Sequence, residues 1–386
     1  MPILSALIAP LAVAIQTAAN GPTFLTLPAK AWRLSWSDEF NEPKLDSSKW
    51  QIGLPWTGDD GTNRHHNSQY ASVITDEDVK VRGGFLYLTC QRKQVPNPRG
   101  GFYAYTEGLI TTAKSFRQKF GYFEIRAKLP VEAGPGTWPA FWMLAEGWPP
   151  EMDAMEYWGS LNRTHQGTVV DAGGRQRWDS FHKTHTSIKG WHTWGLEWGP
   201  GYQIYYCDGK PTGAVYGDHI PEVPFYLLLN SGIESARPPV PETVFPNAFV
   251  VDYCRVYARP DVPVLLNGGF ENEDPAPWLL SGNATVVDYG AITGKRALRL
   301  DAKGSEAKQT VYGLNRPSTA TISLRTDKES TVRLTFGGEE AVKTVNGKAT
   351  LEVRLSKIDK GKAPLTIRSE GPGMVYVDDV KVRASN

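Results

Sequence analysis

The chain has 386 residues, 42 Lys plus Arg against 41 Asp plus Glu, and a formal charge of +1. That length suits two domains, and a chain without basic excess is no holder of a phosphate backbone, so nucleic acid is not expected as a partner. With 40% hydrophobic and 22% charged residues it buries real cores and is not a disordered segment.

Residues 4–19 (LSALIAPLAVAIQTAA) are apolar and then small, the pattern of an export signal over residues 1–20 and hence of a secreted protein. The first basic residue is Lys30, so the positive start of such a signal is missing, and a buried strand or helix start is the other reading. The run is short for a membrane span and no later stretch reaches the roughly 20 apolar residues needed, so no membrane partner is expected.

Strand patterns follow at GFLYLTC (84–90), GYFEIRAKL (121–129), WHTWGLEW (191–198), YQIYYCDG (202–209), FYLLLN (225–230) and FVVDYCRVY (249–257). Each is short, aromatic or β-branched, and bounded by turn formers, as in an all-β sandwich. Twelve of the 13 tryptophans lie between Trp32 and Trp198, a density that suits a core and also a cleft with flat apolar walls. Cys90, Cys207 and Cys254 have no metal-site spacing; they read as free thiols, with a Cys207–Cys254 bridge as the alternative. Two prolines in RPDVPV (259–264) mark a boundary, and strand patterns from ALRLDA (297–302) to MVYVDDVKV (374–382) predict a second β-sandwich. The domains expected are 30–259 and 264–386. No oligomer signal is visible, and a monomer is expected.

The run EMDAME (151–156) carries the chemistry. Alternate residues of a strand share a face, so Glu151 and Asp153 point together. Glu156 joins them only if one bulge intervenes, leaving Met152 and Met155 on the opposite face. Three like charges so close push one carboxyl toward protonation while a neighbour stays ionised. Glycosidic cleavage with retention needs that asymmetry between two carboxyls about 5–5.5 Å apart. A solvated acidic edge is the plain alternative, but the flanking residues are aromatic and apolar.

The run resembles the ExDxxE signature of glycoside hydrolase family 16 in its bulged form. WSDEF (36–40), NSQY (67–70), GYFEIRAK (121–128), WPAFWML (138–144), WHTWGLEW and VDYCRVY (251–257) resemble family segments in family order. The resemblance implies a β-jelly roll (concanavalin A-like) with Glu151 as nucleophile, Glu156 as general acid/base and Asp153 tuning the pair. Spacing alone does not say which Glu does which job. The resemblance further implies sugar contacts from Trp138, Trp142, Asn67 and Gln69, and His165, which follows the catalytic strand, is expected to reach the same cleft. It implies no catalytic cofactor, and a structural calcium held by Glu39, the backbone of Gly84 and Asp252. His65 and His66 are further candidates for sugar contacts, and Arg175, Arg177 and Arg237 for contacts to an acidic galactan.

The expected activity is retaining, endo-acting hydrolysis of a polysaccharide, first of β-1,3- or β-1,3-1,4-glucan. In place of a Gly-Gly-x-Trp loop of laminarin-cleaving relatives the chain reads NSGIESAR (230–237), which keeps a β-galactan such as agar, porphyran or carrageenan open. A non-catalytic lectin is the reading from another class. LNGGFEN (266–272) and the closing VYVDDVKV (375–382) resemble jelly-roll carbohydrate-binding modules, with a sorting or spacer domain as the alternative; Trp278, Tyr289, Tyr312, Phe336 and Tyr376 are candidate platform aromatics, most of them expected in the core.

Overall fold

The computed structural model describes residues 27, 31–57, 64–65, 67–97, 100–171, 175–184 and 188–385. The export-signal reading of residues 1–20 and the site reading of His66 lie outside them. Among the described residues no helix is long and apolar enough to cross a membrane. The chain forms two compact units that part between Arg259 and Pro260.

The first unit is a sandwich of two antiparallel sheets. The sheet that carries the site has seven strands: β1 (Gln51–Ile52), β2 (Leu109–Thr111), β3 (Ala140–Leu144), β4 (Glu151–Trp158), β5 (Arg163–Asp171), β6 (Gln176–Thr184) and β7 (Tyr226–Asn230). Their order is β6-β5-β4-β3-β7-β2-β1. The opposing sheet has eight strands, with Gly121–Lys128 between Trp191–Gly199 and Asn247–Ala258 at its centre. Period-two alternation divides β3 between two environments. Phe141 and Met143 enter the core between the sheets with Phe123, Trp194 and Leu227, whereas Ala140, Trp142 and Leu144 face outward with Tyr226 and Leu228. The β-sandwich expected from the strand pattern, in the jelly-roll form that the family resemblance implies, is therefore the fold.

All three cysteines are free, Cys90 and Cys254 buried and Cys207 half-buried, so the bridge alternative is ruled out.

The second unit is also a β-sandwich, of two five-stranded antiparallel sheets. Strands such as Ser330–Phe336 bury Val332, Leu334 and Phe336 on one face. Of the platform candidates, Trp278, Phe336 and Tyr376 are buried and pack the interior, the core role expected for most of them, while Tyr289 is half-exposed.

The calcium expectation is also corrected. Both carboxylate oxygens of Glu39 accept hydrogen bonds from Arg255, at 2.9 and 2.6 Å, and Asp252 accepts one from Arg126 at 2.5 Å. Two guanidinium groups already neutralise the acids that a hard cation would need, so Glu39, Gly84 and Asp252 do not fit calcium.

Beneath the outer face of the site-bearing sheet lies Glu107, at the end of Tyr105–Glu107, which pairs in parallel with Ser72–Ile74. It is fully buried. Ser72, Asn230 and the Gly232 amide surround it, and burial pushes its carboxyl up to about 8. A carboxyl raised on folding binds its proton in the native state where the unfolded chain has lost it, so its share of stability declines as pH rises from about 4.5 to 8. Glu107→Gln removes that titration. Thermal melts should show the Tm of the variant gaining on wild type by about 4 °C or more between pH 5 and pH 8; a constant difference would refute a neutral Glu107.

Candidate active site

The site is made by a two-against-one mismatch in β4. On the β3 side, Phe141 pairs with Met155 and Trp142 with Asp153, leaving Ala154 over. On the β5 side, Asp153 pairs with Gly167 and Glu156 with His165, so Ala154 and Met155 together oppose Gln166. Gln166 Nε2 donates to the Ala154 carbonyl at 2.8 Å and holds the bulge. Met152, Ala154, Met155 and Tyr157 all enter the core. Glu151, Asp153, Glu156 and Trp158 all face a cleft of about 1250 Å³ on the outer side of the sheet. The bulge anticipated between Asp153 and Glu156 is present, with both methionines on the side expected.

The acids differ in their surroundings. Asp153 is fully buried, and burial, with the charges of Glu151 and Glu156 beside it, pushes it well above the usual carboxylate range. It therefore keeps a proton and hydrogen-bonds to Glu151. Glu151 itself is raised to about 7, by burial first and by the charge of Glu156 second. Its Oε2 accepts a hydrogen bond from Trp148 Nε1 at 2.8 Å, which favours the ionised form. Glu156 accepts from Trp138 Nε1 at 2.9 Å on Oε1 and bonds His165 Nδ1 through Oε2. Two carboxyls of one cleft thus face different partners: an indole N–H and an acid for Glu151, an indole N–H and an imidazole for Glu156.

Trp138 and Trp142 line the cleft as expected, but both are buried and held in place. Trp142 Nε1 donates to Asn230 Oδ1 at 2.9 Å, and Trp138 stacks on Tyr70 with ring centroids 4.5 Å apart. Asn67 and Gln69 line the cleft too, on a turn where Asn67 Oδ1 accepts from the Gln69 amide at 2.8 Å. His165 departs from expectation. It is 0% exposed and touches Glu156 instead of the open cleft, because its strand position is directly opposite the acid. Of the three arginine candidates, Arg237 lines the cleft but is ion-paired there with Glu234, and Arg177 is ion-paired with Asp179.

Sequence reasoning missed the rim. Trp56, Trp148 and Trp178, each about half-exposed (51%, 54% and 48%), all line the cleft. Half-exposed indoles are costly unless something covers them, and along a trough they suit flat sugar faces. Trp148 was the most findable, three residues before Glu151; Trp178 lies two strands away, and only pairing brings it near. Glu234, Ser235, Ala236 and Arg237 add a polar wall.

A jelly roll with crowded carboxyls in a tryptophan-lined trough has the equipment of a glycan-processing protein. The sequence profile described as "Glycosyl hydrolases family 16" matches residues 66–229. A beta-glucanase of Rhodothermus marinus is 30% identical over 59% of this chain and 86% of its own length. An endo-1,3-1,4-beta-glycanase of Rhizobium meliloti is 30% identical over 61% of this chain, and the match spans 53% of that relative, about half its length. A keratan-sulfate endo-1,4-beta-galactosidase of Sphingobacterium multivorum is 29% identical over 75% of this chain and 69% of its own. Among solved structures, the laminarinase catalytic domain of Thermotoga maritima superposes with a TM-score of 0.52 at 29% identity, covering 59% of this chain and 99% of that one. The chain belongs to family 16 of the glycosyl hydrolases.

The bulge makes a sharp prediction. Deleting Ala154 leaves β4 regular against both neighbours and keeps Glu151, Asp153 and Glu156 on the cleft face. Deleting Met152 instead turns Glu151 into the core. Circular dichroism and reducing-sugar assays should find the first variant folded with measurable cleavage and the second without any; equal loss in both would contradict this reading of the register.

Proposed function

We propose that the first unit is a retaining, endo-acting glycoside hydrolase whose first substrate is a β-1,3- or β-1,3-1,4-glucan. The observation that carries it is the common cleft face of Glu151, Asp153 and Glu156, built by the bulge. In the first step, with the proton that the two glutamates share placed on Glu156, the Glu151 carboxylate attacks the anomeric carbon while Glu156 gives that proton to the departing oxygen as the glycosidic bond breaks. The Asp153 hydrogen bond orients Glu151 and withdraws as charge passes to the ester. In the second step Glu156, now ionised, takes a proton from water, which attacks the anomeric carbon and frees Glu151. No cofactor takes part in either step. Trp56, Trp148 and Trp178 stack on successive sugars, with Asn67, Gln69 and Arg237 meeting hydroxyls or acidic substituents.

The glucan choice is supported by the names of the Rhizobium, Rhodothermus and Thermotoga relatives. A β-galactoside polymer is the second reading. It is supported by the breadth of the Sphingobacterium match and by Arg237, on the segment that replaces the Gly-Gly-x-Trp loop, at the cleft wall. For the second unit a glycan-binding or spacer role is proposed, with Tyr289, over whose ring Arg299 lies at 5.7 Å, as the aromatic that supports a sugar-binding face. Export from the cell, the reading of residues 1–20, accords with a polymeric substrate.

The test is reducing-sugar release from laminarin, barley β-glucan, agarose, porphyran, carrageenan and keratan sulfate by wild type, Glu151→Gln and Glu156→Ala. Release from a glucan, lowered by about 10³-fold or more in each variant, is expected. Release only from a galactan would overturn the substrate, and silence of wild type on every polymer would favour a lectin.

A further inference from the structure

His165 is wholly buried beside the acid, and its two ring nitrogens face different partners. Nδ1 bonds Glu156 Oε2. Nε2 lies 3.1 Å from Trp178 Nε1, with the two ring planes inclined by only 19°. An indole nitrogen only donates, so Nε2 accepts and carries no proton. The single ring proton is thereby placed on Nδ1 and given to Glu156.

The opposite tautomer would be harmful. With its proton on Nε2, His165 would present a bare Nδ1 to Glu156, and the proton of the carboxylic acid would lie toward the imidazole instead of the glycosidic oxygen. The surroundings invite that transfer. A ring nitrogen of His165 and oxygens of Asp153 and Glu156 all lie within 4.8 Å of one another, and Glu151 adds a further acid. The neighbouring basic groups offset the acids less directly: His182, with its ring centroid 4.9 Å away, is held below its usual range by burial first and then by His165 and Arg163, and Arg163 and Arg237 lie over the Trp158 ring that stacks on His165. Against the acids the Trp178 N–H bars Nε2, because a proton there would set N–H against N–H.

We propose that Trp178 is a positioning residue that fixes the tautomer of His165, so that the proton of Glu156 goes to the departing sugar oxygen and not to the imidazole. The inference rests on the general-acid role proposed for Glu156. It also explains why an indole on β6 stands half-exposed in the cleft with its nitrogen turned inward: one face walls the trough while the N–H governs the acid.

Trp178→Phe keeps an aromatic ring and removes the N–H. Two readouts on the full chain test it. In ¹⁵N-imidazole spectra, with His165→Gln identifying the signals, wild type should show His165 protonated at Nδ1 alone and the variant should show proton occupancy at Nε2. In kinetics, the polymer that wild type cleaves needs its leaving oxygen protonated, whereas a 2,4-dinitrophenyl oligoglycoside of the same sugars does not. The variant should lose at least about tenfold more kcat/KM on the polymer than on the aryl glycoside. An unchanged tautomer, or equal losses on both substrates, overturns the proposal. Should wild type cleave neither substrate, the hydrolase reading fails, and the nitrogen spectra alone still decide whether Trp178 sets the tautomer.

Discussion

One extra residue in β4 is the constraint on which the site depends. Two residues, Ala154 and Met155, occupy the space opposite Gln166, and both point into the core. Everything before the bulge and everything after it would otherwise be out of phase by one residue, which in a strand means the wrong face. A regular pairing of this same sequence would drive Glu156 into the apolar layer among Phe141, Met152 and Trp194, where an unpaired charge is prohibitively costly. The core demands the two residues and the cleft demands the acids, and the bulge is the conformation that satisfies both.

Placing three carboxyls on one face creates a second problem, which the surrounding side chains resolve by unequal treatment. Asp153 is buried without a positive partner and stays neutral, so the row never carries three charges. Glu151 has one indole N–H and the Asp153 hydrogen bond, while Glu156 has an indole N–H and an imidazole N–H. Four tryptophans therefore do two jobs each. Trp138, Trp148 and Trp178 line the cleft with their rings and reach the acids, or the histidine on one of them, with their nitrogens, and Trp142 does the same toward Asn230. Indole is suited to this because it is flat, apolar and an obligate donor.

Much of this was legible in the sequence. Alternation and turn formers give the β-sandwich, the proline pair lies at the boundary between units, and ExDxxE states its own bulge once one asks which face each acid must share. What failed shows where sequence reading ends. His165 was read as a sugar contact because it follows the catalytic strand; register, a two-body property, sets it against Glu156 instead. Trp178 was passed over because nothing local marks a strand residue whose indole nitrogen reaches across to the next strand. Glu39 and Asp252 looked like hard oxygen ligands, and only the fold shows Arg255 and Arg126 already upon them. Glu107 gave no signal at all, since one acidic residue in a short strand looks solvated until its neighbours are known.

The central claim is that Glu151 and Glu156 stand on one cleft face as nucleophile and acid/base, so that the sugar is displaced twice at the same carbon. The most direct measurement is the anomeric configuration of freshly released reducing ends, followed by proton NMR from the first minute of hydrolysis. The account predicts that the β-anomer appears first and that the α-anomer grows in only by mutarotation. Initial release of the α-anomer would mean a single displacement by water and would contradict the role of Glu151 as nucleophile.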